Sequence, residues 1–506
     1  MVGARYNWGY SSPCLVFCLK NGLSLVFFLL FMGIINVMGA PRDGGEKLKR
    51  IALEWCLAIW ISTLVLWGAL DSEGQFQMIN QIEWIVSPAL NFQWGPVILA
   101  LDGASLFFVI LTALLIPICV LISWKSIKHL FKEFLLCLLF LEALLIGVFL
   151  VLDLLFFYIL FEGILIPMFL LIGVWGSREE KVRASYYFFF YTFAGSVFML
   201  LGIFQLYRNT GTTDYQILLN IKLPFSTQKW ILAGVFLSLA VKIPQIPFHI
   251  WLPQAHVEAP VSGSVILAGI LLKLGGYGLL RFSWPILPAA SEYLAPLIVM
   301  LGVVAIIYGS LITCRQVDFK RLIAYSSVAH MGLVPLGLFT HTIEGLVAAV
   351  FMMLAHGFVS SALFIAITYL YERHHTRLIK YYRGATLTMP IFVTIMMVLS
   401  LTNMGIPLSC NFVGEFFSLL AAVEYNLGLG VLAASGMVWS AAYSFYLYNR
   451  ISFGGGSNYL LFTRDLNRCE LLAIFPLVIG IFLGGIFPSI IIDSVKNAIV
   501  FSPGGA

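Results

Sequence analysis

Charge is what this sequence has least of. Only 10% of its 506 residues are Asp, Glu, Lys or Arg, against 60% hydrophobic, whereas a soluble domain carries about 25% charged and about 45–50% apolar side chains. A chain so poor in charge cannot cover a water-facing surface, and its mean hydropathy of +0.96 makes lipid its solvent. No stretch stands out as a detachable soluble domain, so the length implies many membrane spans rather than several domains. Cysteine is also sparse. The eight are scattered, Cys14 and Cys18 are the one close pair, and no second pair or nearby His completes a metal site. An Fe–S cluster, an attached haem or a structural zinc is therefore not expected. The apolar runs are continuous and lack period-two alternation, which excludes a closed β-barrel.

What is present is a succession of apolar runs, each near the roughly 20 residues a transmembrane helix needs. They predict an all-α polytopic membrane protein of about fourteen spans, near 21–39, 51–70, 97–123, 133–150, 153–175, 185–206, 231–250, 260–281, 293–313, 320–339, 344–370, 388–422, 427–449 and 471–492. The runs 97–123 and 388–422 are long enough to be tilted or broken. Leu23–Gly39 resembles a signal-peptide core, but no clear small-residue cleavage site follows, so it counts as the first span. Lys and Arg support the count. Loops after odd-numbered spans hold twenty of them, and loops after even-numbered spans hold only Arg208, Lys222, Lys229 and Arg281. The positive-inside rule places the first group on the cytoplasmic or matrix side and both termini opposite. The loop 251–259 departs from the pattern by carrying no Lys or Arg.

Ionisable groups inside spans cost several kcal/mol unless paired, which makes each a functional-site hypothesis. Two lysines, Lys242 and Lys273, lie at mid-membrane; Glu162 and Glu415 are the acids at comparable depth, and His330 and His356 sit near the middles of their spans. Asp102 lies early in the third span and Asp153 at the mouth of the fifth. Each has a bland reading. A glutamate can serve helix packing alone, a lysine can snorkel to an interface, and a histidine can be satisfied by a hydroxyl such as Ser326, Ser327, Ser360 or Ser361. Against this, Lys242 stands immediately before Ile243-Pro244-Gln245-Ile246-Pro247. Proline breaks a helix, and the freed carbonyls survive in a membrane only inside protein or beside water. Lys273 is mid-helix with Gly275 and Gly276 after it, allowing close approach of a neighbour. Histidine suits proton relay at neutral pH. Glu415 follows Pro407 in the long twelfth run, which should therefore be discontinuous too.

The two broken spans, seven and twelve, are five apart, each the fourth member of a five-helix block. Five is odd, so the second block is inverted relative to the first. Paired interruptions at corresponding positions point to an inverted-repeat transporter with sites near the midplane. The chain divides accordingly into 1–125, with spans one to three; 126–285, with spans four to eight; 286–450, with spans nine to thirteen; and 451–506, with the last loop and span.

Several stretches carry a family resemblance. Phe161-Glu162-Gly163, Lys242-Ile243-Pro244, the run His249-Ile250-Trp251-Leu252-Pro253-Gln254-Ala255-His256-Val257-Glu258-Ala259-Pro260, Gly269-Ile270-Leu271-Leu272-Lys273-Leu274-Gly275 and Ile323-Ala324-Tyr325-Ser326-Ser327-Val328-Ala329-His330-Met331 resemble the antiporter-like subunits of proton-pumping NADH:quinone oxidoreductase, respiratory complex I, in its mitochondrial form. Gly211-Thr212-Thr213-Asp214, Tyr371-Glu372-Arg373-His374, Val413-Gly414-Glu415-Phe416 and Leu447-Tyr448-Asn449-Arg450 add to it. The resemblance is dense over 97–455, and the long run from His249 is specific to the superfamily.

The resemblance implies fourteen helices with two inverted five-helix units. Glu162 and Lys242 would be an ion pair at the inlet half, Lys273 the central relay, His330 and His356 its continuation, and Glu415 the terminal exchange site. It further implies no cofactor in this chain, with FMN, Fe–S clusters and ubiquinone in other subunits. Sister chains 2 and 5 would flank it, the lateral helix of chain 5 alongside, in the mitochondrial inner membrane with both termini facing the intermembrane space. Two departures stand out. The family reads Pro-Gly at the second break, where this chain has Pro407-Leu408, and Pro-Glu-Ala-His where it has Pro253-Gln254-Ala255-His256. A subunit of an Mrp-type cation/proton antiporter uses the same core residues and is the alternative. A purely structural subunit is disfavoured by the number of costly buried charges.

Overall fold

The structure is a computed structural model that describes residues 22–42, 45–71, 75–83, 86–87, 92–93, 96–457, 460 and 463–500; Cys14 and Cys18 lie outside them. The principal helices are α1 (Gly22–Gly39), α2 (Gly45–Ala69), α3 (Gly103–Ser126), α4 (Phe131–Leu150), α5 (Leu154–Trp175), α6 (Lys181–Thr210), α7 (Phe225–Lys242), α8 (Trp251–Glu258) and α9 (Val261–Ile286). They continue with α10 (Pro288–Cys314), α11 (Phe319–Leu338), α12 (Ile343–His374), α13 (Pro390–Asn403), α14 (Cys410–Tyr425), α15 (Leu427–Ser452), α16 (Arg468–Ile486) and α17 (Ser489–Val500).

Eleven of these are long and apolar enough to cross a membrane: α1 to α6, α9, α10, α12, α15 and α16. The expected spans outside that set are the ones that carry breaks or polar groups. The seventh is split between α7 and α8 and the twelfth between α13 and α14, while α11 holds Lys320, Arg321 and His330. Burial is graded. The apolar segments of α9 and α12 are almost wholly enclosed, whereas in α1, α2, α15 and α16 only about a third of the residues are buried. The most enclosed helices are thus the ones that carry Lys273 and His356.

Three boundaries differ from expectation. Residues 97–101 are a strand, β2 (Val97–Leu101), paired antiparallel with β1 (Gln77–Ile82), with Ile82 opposite Val97 and Gln77 opposite Leu101. A five-residue apolar run fits strand or helix equally. The helix α3 starts only after Asp102, whose side chain accepts from Ser105 N at 2.8 Å in a capping box. The expected loop 251–259 is the helix α8, buried except at Gln254. A buried helix has no reason to carry Lys or Arg, which removes the anomaly in the charge pattern. Arg281, expected in a loop, is inside α9 and only 7% exposed.

The first break is closed from within. Pro244 ends α7 just after the last regular bond, Ile243 N to Leu239 O at 2.8 Å; the Ala240 carbonyl that it strands is taken by Gln245 N at 2.9 Å, and Val241 O by the indole Nε1 of Trp251 at 2.9 Å. Trp251 opens α8, so the second half of the broken element caps the first. A milder interruption falls at Ile164 in α5, one turn before Pro167, whose ring displaces the carbonyl four residues earlier. It sits immediately after Glu162-Gly163.

The second break turns on backbone sign. After α13 the chain passes through Gly405 at φ 75° and Leu408 at φ 76°, and Ser409 caps α14 through Phe412 N. Gly405 is required twice over. Its φ is left-handed, and a methyl group there would run into the Glu415 carboxylate. Leu408 holds a conformation that suits glycine, at the position where the resembling family has one; its side chain is 64% exposed, so little packing offsets the strain. Leu408→Gly is accordingly expected to stabilise the break by up to about 1 kcal/mol, the cost of a left-handed non-glycine residue. Gly405→Ala should destabilise it by more than that, since it adds a clash with Glu415. Heat-induced thiol labelling of Cys410, buried at the start of α14, checks both in native membranes. Shifts of the same sign would contradict this backbone.

Candidate functional site

The site begins with Lys273, which is fully buried in α9 and forms no ion pair among the described residues. Its ammonium donates to the Ala268 carbonyl and lies 2.8 Å from Nδ1 of His356. Ala268 belongs to a π-helical turn, Leu267–Leu271, and such turns cluster at functional sites. Among the described residues the lysine therefore meets a carbonyl and an imidazole and no anion. An unpaired buried charge costs far more than one hydrogen-bonded to a counter-ion.

His356, in the middle of α12, faces His330 of α11 with ring centroids 5.9 Å apart. His330 in turn lies between two groups. Its Nδ1 is 3.2 Å from Glu415 Oε1, and its Nε2 is 3.2 Å from the Tyr443 hydroxyl of α15. The Glu415 approach is close but not aligned as a hydrogen bond, so both carboxylate oxygens keep acceptor capacity. A cavity of about 20 Å³ opens beside His330, Glu415 and Tyr443, room for one water. Nearby, Asn403 at the end of α13 donates to Ser444 Oγ at 3.2 Å, which ties the rim of the second break to α15. Lys273, His356, His330 and Glu415 thus form one line through α9, α12, α11 and α14.

Glu162 and Lys242 stand apart from that line. Lys242, 1% exposed at the end of α7, has no hydrogen-bond partner among the described residues; its ammonium lies 4.5 Å from the centroid of the Phe161 ring and 5.8 Å from that of Phe188. The aromatic faces supply a modest cation–π attraction in place of an anion. Glu162 is on the next residue after Phe161, within electrostatic reach of Lys242 and beside Ser196 of α6, with Oε1 unpartnered. The two form no ion pair here. Pro244, Pro247 and Pro407 lie in the two breaks, between α7 and α8 and between α13 and α14.

Several groups escaped sequence reasoning. Glu142, fully buried in α4 with both carboxylate oxygens unpartnered, lies within reach of the Cys56 and Cys119 thiols. Its signal was as plain as that of Glu162, a lone acid deep in an apolar run. Tyr443 bears no charge and gives no signal. His256 in α8 is fully buried with both ring nitrogens unpartnered, stacked on Phe364 at 4.6 Å, and within electrostatic reach of Lys273 and Lys320. Lys320 donates to Ala259 O at 2.8 Å; Arg377 pairs with Glu258 at 3.3 Å and donates to Ser177 Oγ at 2.5 Å. Lys320 and Arg377 line a cavity of about 560 Å³ on the side where the basic loops gather. Among the described residues, no cluster of three or more His, Cys, Asp or Glu could hold a metal.

Known proteins share this arrangement of helices. The transmembrane family described as NADH:quinone oxidoreductase/Mrp antiporter matches residues 151–440, a range that contains Glu162, Lys242, Lys273, His330, His356 and Glu415. NADH-ubiquinone oxidoreductase chain 4 of Metridium senile is 81% identical over 487 residues, covering 96% of this chain and 99% of its own length. The protein of the same name from Marchantia polymorpha is 46% identical over 483 residues, covering 95% and 96%. A chain of respiratory complex I from Thermus thermophilus, solved with bound NADH, superposes with a TM-score of 0.83 at 28% identity, covering 95% of this chain and 98% of that one. On these matches, the chain belongs to the antiporter-like membrane subunits of NADH:quinone oxidoreductase, within the NADH:quinone oxidoreductase/Mrp antiporter family.

Proposed function

We propose that this chain translocates protons in the membrane arm of a mitochondrial NADH:ubiquinone oxidoreductase, along the line Lys273, His356, His330 and Glu415. The observation that carries this reading is the 2.8 Å contact of Lys273 with His356, continued to Glu415 through His330. A proton on Lys273 has the His356 imidazole nitrogen, at 2.8 Å, as the base beside it, the Ala268 carbonyl being able to accept a hydrogen bond but not to carry the proton on. From His356 it passes to His330 across the gap between the rings, through one water or a ring rotation, and from His330 to Glu415. Each residue on the line is restored by the next proton, so the path repeats. The chain does no redox chemistry itself; FMN, Fe–S clusters and ubiquinone belong to other subunits, and the complex as a whole is the translocase.

In this reading fourteen spans form two inverted five-helix units, over 126–285 and 286–450, framed by 1–125 and 451–506. The paired breaks support it: α7 stops at Lys242, and α14 starts five residues before Glu415. Sister chains 2 and 5, with the lateral helix of the latter, flank the subunit in the inner membrane, and both termini face the intermembrane space. The identity of the relatives, chain 4 proteins of NADH-ubiquinone oxidoreductase, favours complex I over an Mrp-type antiporter.

Lys273→Ala tests the relay. In sealed vesicles this variant should lose NADH-driven proton uptake and slow coupled turnover, with NADH binding unaffected; full pumping would overturn the relay.

Glu162 acts in this scheme as an electrostatic switch for Lys242 rather than as a carrier. Opposite charges within about 4–6 Å support each other. A closed Glu162–Lys242 pair holds the lysine's proton in place, and the open arrangement, with Lys242 against Phe161 and Phe188, withdraws that support and sends the proton toward Lys273. The sign of residue 162 then matters more than its length. Glu162→Gln should impair pumping in reconstituted vesicles and Glu162→Asp should recover part of it. Parental pumping by the Gln variant, or equal loss in both, would return Glu162 to a packing role.

A further inference from the structure

The relay leaves one exit unexplained. Lys273, Tyr277 and Arg281 follow one another at intervals of four on α9, so they stack along one face. Arg281 is roughly 12 Å from Lys273 at ~1.5 Å per residue, and α9 ends at Ile286 on the side of the charge-poor loops. That face of α9 is the most direct course from Lys273 to that side of the membrane, and the line toward Glu415 works only if it is closed.

The structure closes it with an ion pair. Arg281 Nη2 donates to Asp102 Oδ2 at 2.5 Å, and Arg281 Nε donates to the Tyr277 hydroxyl at 3.1 Å. Tyr277 donates its own proton to the Phe149 carbonyl at 2.8 Å, at the end of α4. The other Asp102 oxygen is committed to Ser105 N at the cap of α3. The guanidinium carbon lies 5.1 Å from the Phe76 ring, 5.3 Å from that of Tyr277 and 6.0 Å from that of Tyr215. The cluster is buried: Asp102 is 2% exposed and Tyr277 1%. Every donor and acceptor named is therefore occupied, three aromatic rings lie around the guanidinium, and the cation at the centre is one that does not release its proton. The pair is neutral overall, but its guanidinium is the member bonded to Tyr277, so a proton coming along α9 from Lys273 meets the positive charge first, and that repulsion is strong in a low-dielectric surrounding.

We propose that Arg281, held by Asp102 and Tyr277, is an electrostatic plug that bars the direct outlet beneath Lys273 and so routes the proton to His356. This rests on the relay reading above, and the experiment separates the two. The assembled complex is reconstituted in sealed vesicles with Asp102→Asn combined with Arg281→Gln, a neutral pair that leaves no buried charge unpaired. Passive proton leak without NADH should rise severalfold and protons pumped per NADH should fall, while NADH oxidation with uncoupler stays at the parental rate. Adding Lys273→Ala to the neutral pair should return the leak to the parental level. Arg281→Lys, which keeps a cation beside Asp102, should leak as little as the parent. An unchanged leak in the neutral pair, a leak that persists without Lys273, or an equal leak in Arg281→Lys would each overturn the plug. If the neutral pair does not assemble, Tyr277→Phe frees one side of the guanidinium: a raised leak that Lys273→Ala removes supports the plug, and no rise overturns it. Lys273→Ala alone, assayed for pumping in parallel, reports separately on the relay.

Discussion

A lysine amine buried in the most enclosed part of the chain, with a carbonyl and an imidazole but no carboxylate beside it, sets the terms for everything around it. In water a lysine keeps its proton. In a medium where unpaired charge is penalised by several kcal/mol, it holds that proton only as long as the neighbours favour it. The Ala268 carbonyl is available because the helix relaxes into a π turn there, and His356 is a base of the right kind at hydrogen-bond distance. In the proposed relay, the rest of the line gives that proton one acceptor at a time.

The helix breaks serve the same end. A continuous apolar helix satisfies its own backbone and offers nothing to a proton or a charged side chain. Interrupting α7 after Lys242 and the chain between α13 and α14 puts polar backbone at depth, and the structure recovers the stranded groups locally. The Trp251 indole returns to the Val241 carbonyl, and Ser409 caps α14. At the second break the backbone itself makes space for the Glu415 carboxylate, since Gly405 has no side chain to oppose it. Lys242 illustrates the other half of the design. Among the described residues it has two aromatic faces and no anion in contact, which is the open arrangement that the proposed Glu162 switch requires.

Much of this was legible in the sequence, for physical reasons that also mark where legibility ends. Hydropathy reports how long an apolar run is, and eleven of the expected spans are apolar helices of membrane length; proline reports where a run must break, which located both interruptions. Hydropathy does not report pairing. It could not tell that Val97–Leu101 pairs with β1 rather than opening α3, nor that α8 is buried rather than a loop. Position along a run hid Arg281, assigned to a loop because it falls near a span end, although its partner Asp102 was noticed separately. Which histidine faces which group is a matter of helix packing, so the order of the two histidines, His356 against Lys273 and His330 against Glu415, emerged from the coordinates, as did Tyr443, an uncharged residue with nothing in its neighbourhood of sequence to distinguish it. Glu142 is a different case: it was visible as a buried acid and passed over.

The central claim is that protons move along this line and reach Glu415. Infrared difference spectroscopy of the sealed complex during NADH oxidation tests it most directly, because a carboxylic acid and a carboxylate absorb at different frequencies. The account predicts a protonated-carboxyl band that appears and disappears with turnover and is absent in Glu415→Gln. A complex that pumps at the parental rate while the Glu415 carboxyl shows no change of protonation would contradict it.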